Sequence, residues 1–262
     1  MFFPESYYPP ASLDYADRLA KGFTTASKLN VLITGVVRDG EKEIGLNLAR
    51  IDYLRRFFAK SYVFVYENDS VDNTKEIINK WRKSRYNTVF YSEKLGTRKL
   101  ADRSLERRIN MATARNKYLE YARKLKDIHK IIILDLDLAG GYSFEGVLHS
   151  LSYNEENSIY TSNGLMYRNT ERLFYDTWSY RDLDDNEGSN YLLYNRGEDL
   201  VKVNSNFSAL SIYPSSILDY NIKYTSSDCD HVTINNQLTK YGYNIFLNPS
   251  QITLYNLHYY CY

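Results

Sequence analysis

The chain has 262 residues, 33 of them basic and 32 acidic, for a formal charge of +1. That balance gives bulk electrostatics no argument for nucleic acid or an anionic membrane as partner. With 44% hydrophobic and 25% charged residues, it reads as a soluble globular protein of one large domain, long enough to bury a sizeable core.

Two cysteines, Cys229 and Cys261, make neither a disulfide framework nor a zinc site, which points to a reducing, cytoplasmic setting. The opening stretch MFFPESYYPPASLDYADRLAKG has prolines and acids where a signal peptide needs an unbroken apolar core. No run approaches the roughly 18 apolar residues of a membrane span. Tyrosine is frequent at 27 residues, but a count does not separate half-buried packing from sugar-binding platforms.

VLITGVV (31–37) is a continuous β-branched run, as expected of a strand buried on both faces. It breaks at RDGEKE, and a helix follows in which Ile44, Leu48, Ile51, Leu54 and Phe58 recur at three- and four-residue spacing. SYVFVYE (61–67) reads as a second strand, with Asp72 placed to cap the helix NTKEIINKW. TVFY (88–91) is a short third strand, and a long helix runs from about Asp102 to Lys124 before the fourth strand, KIIILDLD. This alternation predicts a mostly parallel sheet with crossover helices. Such sheets bind ligands outside the carboxyl ends of their strands. Beyond residue 150 the pattern gives way to short β runs: SIYT (158–161), ALSIYP (209–214), YNIFL (243–247) and ITLY (252–255). With the polar stretch 180–199 between them, this half reads as the sheet's completion plus a loop-rich lobe.

KIIIL ends in Asp135 and Asp137. Side chains alternate along an extended strand, so the two carboxylates point the same way, about 7 Å apart along the chain. Ionised side by side they repel, and either a shared proton or a divalent cation relieves them. Oxygen-only ligands favour Mg2+ or Mn2+. Such an ion keeps open positions for phosphate oxygens, which implies a metal-held diphosphate at the sheet's carboxyl edge. A bare Asp-x-Asp is common in surface loops; its place at the end of a buried strand is what distinguishes this one.

The long helix has an apolar stripe of Leu105, Ile109, Ala112, Leu119 and Ala122, interrupted by Asn116. Arg108 and Arg115, two turns apart, lie nearly superposed on one flank. Two guanidiniums and an amide beside a core-facing stripe need partners. These are either acids of a neighbouring strand or a diphosphate, whose oxygens suit planar charged forks. In YENDSVDNT, Ser70, Asp72 and Thr74 are explained by turn and cap chemistry. Glu67, Asn68 and Asp69 sit at a strand's carboxyl end, placed either for that cap or to accept from a base edge or ribose hydroxyls. Arg38, where the first run breaks, is a further donor-side candidate.

Taken together, YENDSVDNTKEI, RRINMATARNKYLEYA, KIIILDLDL, FYDTWSYRDLD and SSDCDHVTINNQL with GYNIFLNP resemble the fungal capsule-type α-1,3-mannosyltransferase family, metal-dependent glycosyltransferases of the GT-A fold. The matching segments span about residues 31 to 255. The resemblance implies an α/β chain with a Rossmann-like, mostly parallel central sheet flanked by helices and a loop-rich C-terminal acceptor lobe. It implies one domain over 1–262, with a nucleotide-sugar half at about 28–150 and an acceptor half at about 151–262. It also implies a nucleotide-sugar donor, a carbohydrate acceptor and Mn2+ (or Mg2+). Arg38, Glu67, Asn68, Asp69, Arg108, Arg115, Asn116 and Asp135 are then assigned to the donor, and Asp135 and Asp137 to the metal. GT-A enzymes commonly close the metal shell with a late histidine; His258 lies at that end of the chain, with His231 as its competitor. The chain departs from the family in Asp135-Leu136-Asp137, where Asn-Asp is frequent, in DCDH for Glu-Cys-Glu, and in a glycine missing from NSNFSAL.

Asp228 and Asp230, before the apparent helix VTINNQLTK, are candidates for the base or for orienting the acceptor; capping by Ser227 or Asp228 is the structural alternative. FYDTWSYRD groups Asp176, Trp178, Arg181 and Asp182 as acceptor contacts, with Trp178 offering an apolar face to a sugar ring, unless it is a buried Trp among ion pairs. The reading is transfer of a hexose, mannose from GDP-mannose, with retention following from the resemblance to an α-transferase. A UDP-sugar donor, a nucleotidyltransferase and a non-catalytic sugar-nucleotide module are the alternatives. Release of free GDP or UDP, against pyrophosphate, separates sugar transfer from nucleotidyl transfer.

Overall fold

A computed structural model describes residues 2–153 and 155–256. In chain order the elements are α1 (Tyr15–Ala26), β1 (Asn30–Val37), α2 (Glu41–Leu54), β2 (Lys60–Asn68), α3 (Thr74–Arg82), β3 (Thr88–Glu93), α4 (Leu105–Ala122), β4 (Lys130–Asp135) and β5 (Gly141–Tyr142). There follow α5 (Phe144–Tyr153), β6 (Ser158–Arg168), β7 (Glu171–Phe174), β8 (Val201–Val203), β9 (Leu210–Pro214), α6 (Asp230–Lys240) and β10 (Asn244–Leu254).

One sheet runs β3-β2-β1-β4-β9-β6-β10-β5, with β7 beside β6 and β8 beside β10. The first four strands are parallel. β9 then runs against both β4 and β6, and β10 is again parallel to β6. The register sets Val36 beside Asp135 and Val37 beside Glu67, so three strands end at one rim.

Period-two alternation distributes each buried strand between two cores. Ile132 and Leu134 of β4 join α2, α3 and α5 on one face, while Ile131 and Ile133 join α4 and α6 on the other. Asp135 continues the second series, toward α4. That geometry decides what its carboxylate meets.

The strands and helices expected from sequence are present, with three differences. Of the stripe expected on α4, Ala112, Leu119 and Ala122 are buried, but Leu105 is 55% and Ile109 47% exposed. The first turns of α4 stand at the rim, beyond the sheet that would cover them. YNIFL and ITLY are one strand, β10, whose pairing with β6 slips between Asn248 and Ile252. Helices α1 and α5 are not among the elements expected from sequence; α5 is buried almost all round, so it has no polar face to mark a period. Asp72 does satisfy a helix start, accepting from the Thr74 N–H at 3.0 Å. Among the described residues, no helix is long and apolar enough to cross a membrane.

Helix α1 crosses α5 so closely that a Cβ on Gly22 would overlap the Leu148 carbonyl. Gly22→Ala should therefore destabilise the fold, because overpacking against backbone costs about 1–3 kcal/mol, beyond the helix-propensity gain of about 1 kcal/mol. A melting temperature several degrees lower is the expected readout; an unchanged one would mean that α1 packs loosely.

Candidate active site

A cleft of about 260 Å3 opens where β1, β2 and β4 end. Its floor is the strand-end residues Val36 to Arg38, Asn68 and Asp135. One wall is the cleft-facing flank of α4, with Arg107, Asn110, Met111 and Ala114 at helical spacing, and the preceding loop with Lys99. The other wall is the segment after β7, carrying Tyr175, Asp176 and Trp178, together with Phe207 and the first turn of α6.

Between the walls lies a buried guanidinium. Arg115 is 3% exposed. Its Nη2 is 3.3 Å from Asp135 Oδ1, and its Nε is paired with the Asp230 carboxylate. The group sits 4.9 Å from the Phe207 ring centroid. Burial opposes the charge on Arg115, but Asp230 first, with Asp135 adding, holds the guanidinium protonated.

The carboxylates around it outnumber it. Burial pushes Asp135 up to about 8 against the pull of Arg115, with Asp137, Asp176 and Asp230 adding to the rise. Burial likewise pushes Asp176 up to about 6, against hydrogen bonds from Ser179 Oγ at 2.6 Å and the Ser208 N–H at 3.0 Å. Asp137 is open to the cleft, yet protein crowds its concave mouth, limits hydration and raises its carboxyl too.

The backbone that gathers these acids is strained. Asp176, Ser208 and Ala209 all take left-handed conformations, with φ of 67°, 49° and 68°, which cost a residue with a Cβ about 1–3 kcal/mol each. The strain is held by the Asp176–Ser208 bond and by the Asp135 N–H, which donates to the Ala209 carbonyl at 2.8 Å.

The donor chemistry suits a hard divalent ion: oxygen ligands from Asp135 and Asp137, in a place where excess negative charge otherwise takes up protons. Among the described residues, no group of three or more His, Cys, Asp or Glu side chains is poised to hold one. His231 is thus not gathered with the two aspartates, and His258 lies outside the described residues.

Of the other residues singled out from sequence, Arg38, Asn68, Asp176, Trp178 and Asp230 line the cleft. Arg38 donates to the Thr97 carbonyl and hydroxyl. Trp178 is half-buried, lining the cleft and packing against Arg103 and Arg107 at 5.4 and 5.3 Å.

The remainder stand elsewhere, each for an identifiable reason. Glu67 is fully buried and accepts from the Ser70 N–H and Ser92 Oγ, so it organises the turn. Asp69 accepts the N–H groups of Leu95, Gly96 and Thr97 and so anchors the loop before Lys99. Arg108 donates to the Ser227 carbonyl, and Asn116 pairs with the Tyr224 backbone in both directions. Asp228 is held by Arg181, which also donates to the Trp178 and Tyr180 carbonyls and pairs with Glu187 at 3.6 Å, and Asp182 closes a local turn onto Asn186. Neither Ser227 nor Asp228 caps α6; Cys229 stands at that position without a side-chain cap bond.

Sequence reasoning passed over Arg107, Lys99, Tyr175 and Phe207. For Arg107 a signal existed, since 107, 110, 111 and 114 form an i, i+3, i+4, i+7 flank next to the core stripe. The loop residue Lys99 had none.

No protein-family model matches the sequence, and no curated protein does. Solved structures do. The mannosyltransferase PcManGT from Pyrobaculum calidifontis, in complex with GDP-Man and Mn2+, matches with a TM-score of 0.57 at 13% identity, over 95% of this chain and 66% of its own. The chain has a GT-A fold. GalNAc-T7 with UDP, GalNAc and Mn2+ matches at 0.56 and 11% identity, over 88% of this chain and 44% of its own. TarS 1-349 from S. aureus in complex with UDP matches at 0.53 and 14%, over 87% and 61%. The chain spans less than two-thirds of the length of each. In GT-A terms, the acid cluster lies at the end of β4 and on the lobe facing it.

Two measurements test this electrostatic picture. Arg115→Ala leaves buried carboxylates without a counter-charge, so urea denaturation at pH 7 should show a loss of about 3–5 kcal/mol. A loss under about 1 kcal/mol would mean that the ion pairs are dispensable. The raised Asp135 sets a sign for pH. In the ion-free protein the stability that Asp135 contributes is fully present below the unfolded carboxyl value near 4 and is lost as pH rises through about 8. Asp135→Asn should therefore melt higher than the parent at pH 8, at about 2–4 °C per kcal/mol recovered, with the gap closing toward pH 4. A gap that widens on acidification would contradict the assignment.

Proposed function

We propose that the chain is a metal-dependent glycosyltransferase that moves a hexose, mannose from GDP-mannose, onto a carbohydrate acceptor. The observation that carries the reading is the convergence of Asp135, Asp137, Asp176 and Asp230 on one buried guanidinium at the carboxyl rim of a GT-A sheet. An ion and a diphosphate balance that charge, and a sugar supplies hydroxyls for the remaining acids. The complexes of PcManGT with GDP-Man and of GalNAc-T7 and TarS with UDP support a sugar nucleotide as donor. The resemblance to the fungal capsule-type family favours mannose and retention. The two UDP complexes favour a UDP-sugar as second reading.

In this reading Asp135 and Asp137 hold the ion, with His258 as a third ligand. Bound there, Mn2+ supplies Lewis-acid stabilisation of the departing diphosphate. Lys99 and Arg107, on the α4 side of the cleft, face the same oxygens and stabilise the charge that develops on them. Arg38 and Asn68 bind toward the nucleoside. Arg115 keeps Asp135 and Asp230 in place instead of touching phosphate. Trp178 and Asp176 hold a sugar ring and its hydroxyls. With Asp228 engaged by Arg181, the groups left to orient or deprotonate an acceptor hydroxyl are Asp230 and Asp176; with retention, the leaving phosphate takes the proton.

Incubation with Mn2+ and GDP-mannose, or with UDP-sugars, should release free GDP or UDP. Pyrophosphate from a nucleoside triphosphate would replace this reading with nucleotidyl transfer. Because Asp137 is exposed, Asp137→Ala should melt within about 2 °C of the parent while turnover falls by about a hundredfold or more and Mn2+-dependent nucleotide binding is lost. Unchanged Mn2+-dependent affinity would remove Asp137 from the metal site.

A further inference from the structure

One polar side chain in the cleft wall has no role in the reading above. His231, the second residue of α6, is 2% exposed and lines the cleft. Its ring lies flat on Phe207, with centroids 3.6 Å apart and planes 11° from parallel, and Tyr224 meets it edge-on at 5.6 Å. Both ring nitrogens are buried, and neither has a hydrogen-bond partner among the described residues. The nearest acid oxygen, Asp230 Oδ2, is 3.8 Å from Nε2, beyond bonding range, and is paired with Arg115. A buried imidazole with two idle nitrogens is costly. Phenylalanine would keep the stack without that cost.

The charge state narrows what those nitrogens are for. Burial, and then the Arg115 guanidinium, hold the imidazole well below its ordinary value, so it is neutral, with one donor and one acceptor. Phosphate calls for charged donors, and the cleft provides these elsewhere, in Lys99 and Arg107. On the His231 side stand Asp176 and Asp230, which repel phosphate but accept from hydroxyls. A hydroxyl both gives and takes a hydrogen bond, and so matches a neutral imidazole.

We infer that His231 reads a hydroxyl of the hexose carried by the donor, and so sets which sugar the cleft accepts. This rests on the sugar-nucleotide reading above.

The test is calorimetric binding in Mn2+ of two pairs, GDP with GDP-mannose and UDP with UDP-glucose, to the parent, to His231→Phe and to His231→Gln. The Phe variant keeps the stack on Phe207 and should melt no lower than the parent. Its affinity for the free nucleotide should stay within about twofold, while the sugar nucleotide weakens about fivefold to tenfold, as for one lost neutral hydrogen bond. Among monodeoxy donors, one should bind the parent weakly and lose nothing further in the Phe variant, because the matching partner is already gone. If the Phe variant does not fold, His231→Gln decides: an altered ratio of sugar-nucleotide to nucleotide affinity supports the role, and an unaltered ratio overturns it. Equal weakening of both members of a pair, or none, makes His231 structural and leaves the sugar-nucleotide reading standing. A parent protein that binds neither pair in Mn2+ sinks that reading and this inference together.

Discussion

The site depends on one interaction, the pairing of Arg115 with Asp135 and Asp230. It ties three elements that sequence separates widely: helix α4, the end of β4 and the first turn of α6. Each carboxylate buried alone would pay a desolvation cost that a single guanidinium offsets only in part. The remainder is visible in the raised Asp135 and Asp176. A cation beside these carboxylates would relieve a repulsion the fold has already built in.

The sheet's topology makes that convergence possible. A purely parallel sheet would deliver only strand ends to the rim. Here β9 runs back between β4 and β6, so the chain entering it, at Phe207 to Ala209, passes directly over the end of β4. Left-handed residues at 208 and 209 turn the chain into β9, the Ala209 carbonyl fixes Asp135 from behind, and the Ser208 N–H fixes Asp176. Reversal of one strand thus brings the loop-rich lobe to the end of β4.

How much of this was legible in sequence follows from the range of each interaction. Strand β4 and its aspartates declared themselves because burial on both faces leaves a continuous apolar run, and a charge at its end is conspicuous. Asp135 could be seen to face something cationic, and Arg115 to need either an acid or a diphosphate; that the two, 20 residues apart, meet each other could not. What could not be seen was which Arg of RRINMATAR faces the cleft: the flank shifts by about 100° per residue, so Arg107 lines the site and Arg108 reaches Ser227. Glu67 and Asp69 were placed at the right rim, but acids at strand ends also organise turns, and only the backbone path shows that they do so here. His231 was legible as a histidine beside two acids; its stack on Phe207, 24 positions earlier, was not.

The loop-rich lobe is irregular in secondary structure without being loosely held. Arg181 is buried at its centre, bridging in backbone pairing to Glu187 and Ser205 while its guanidinium gathers the Trp178 and Tyr180 carbonyls and Asp228. A long chain excursion without helix or strand must satisfy its buried carbonyls some other way, and one arginine with a fork of donors does so for several at once. Asp228 then anchors the start of α6 to the segment carrying Asp176 and Trp178. Residues that looked like acceptor contacts therefore divide by partner: Arg181 and Asp228 hold each other and the local backbone, and Asp176 and Trp178 line the cleft. The cleft-lining groups of this lobe are thereby fixed relative to the end of β4. An ion-paired scaffold supplies that fixity where regular secondary structure does not.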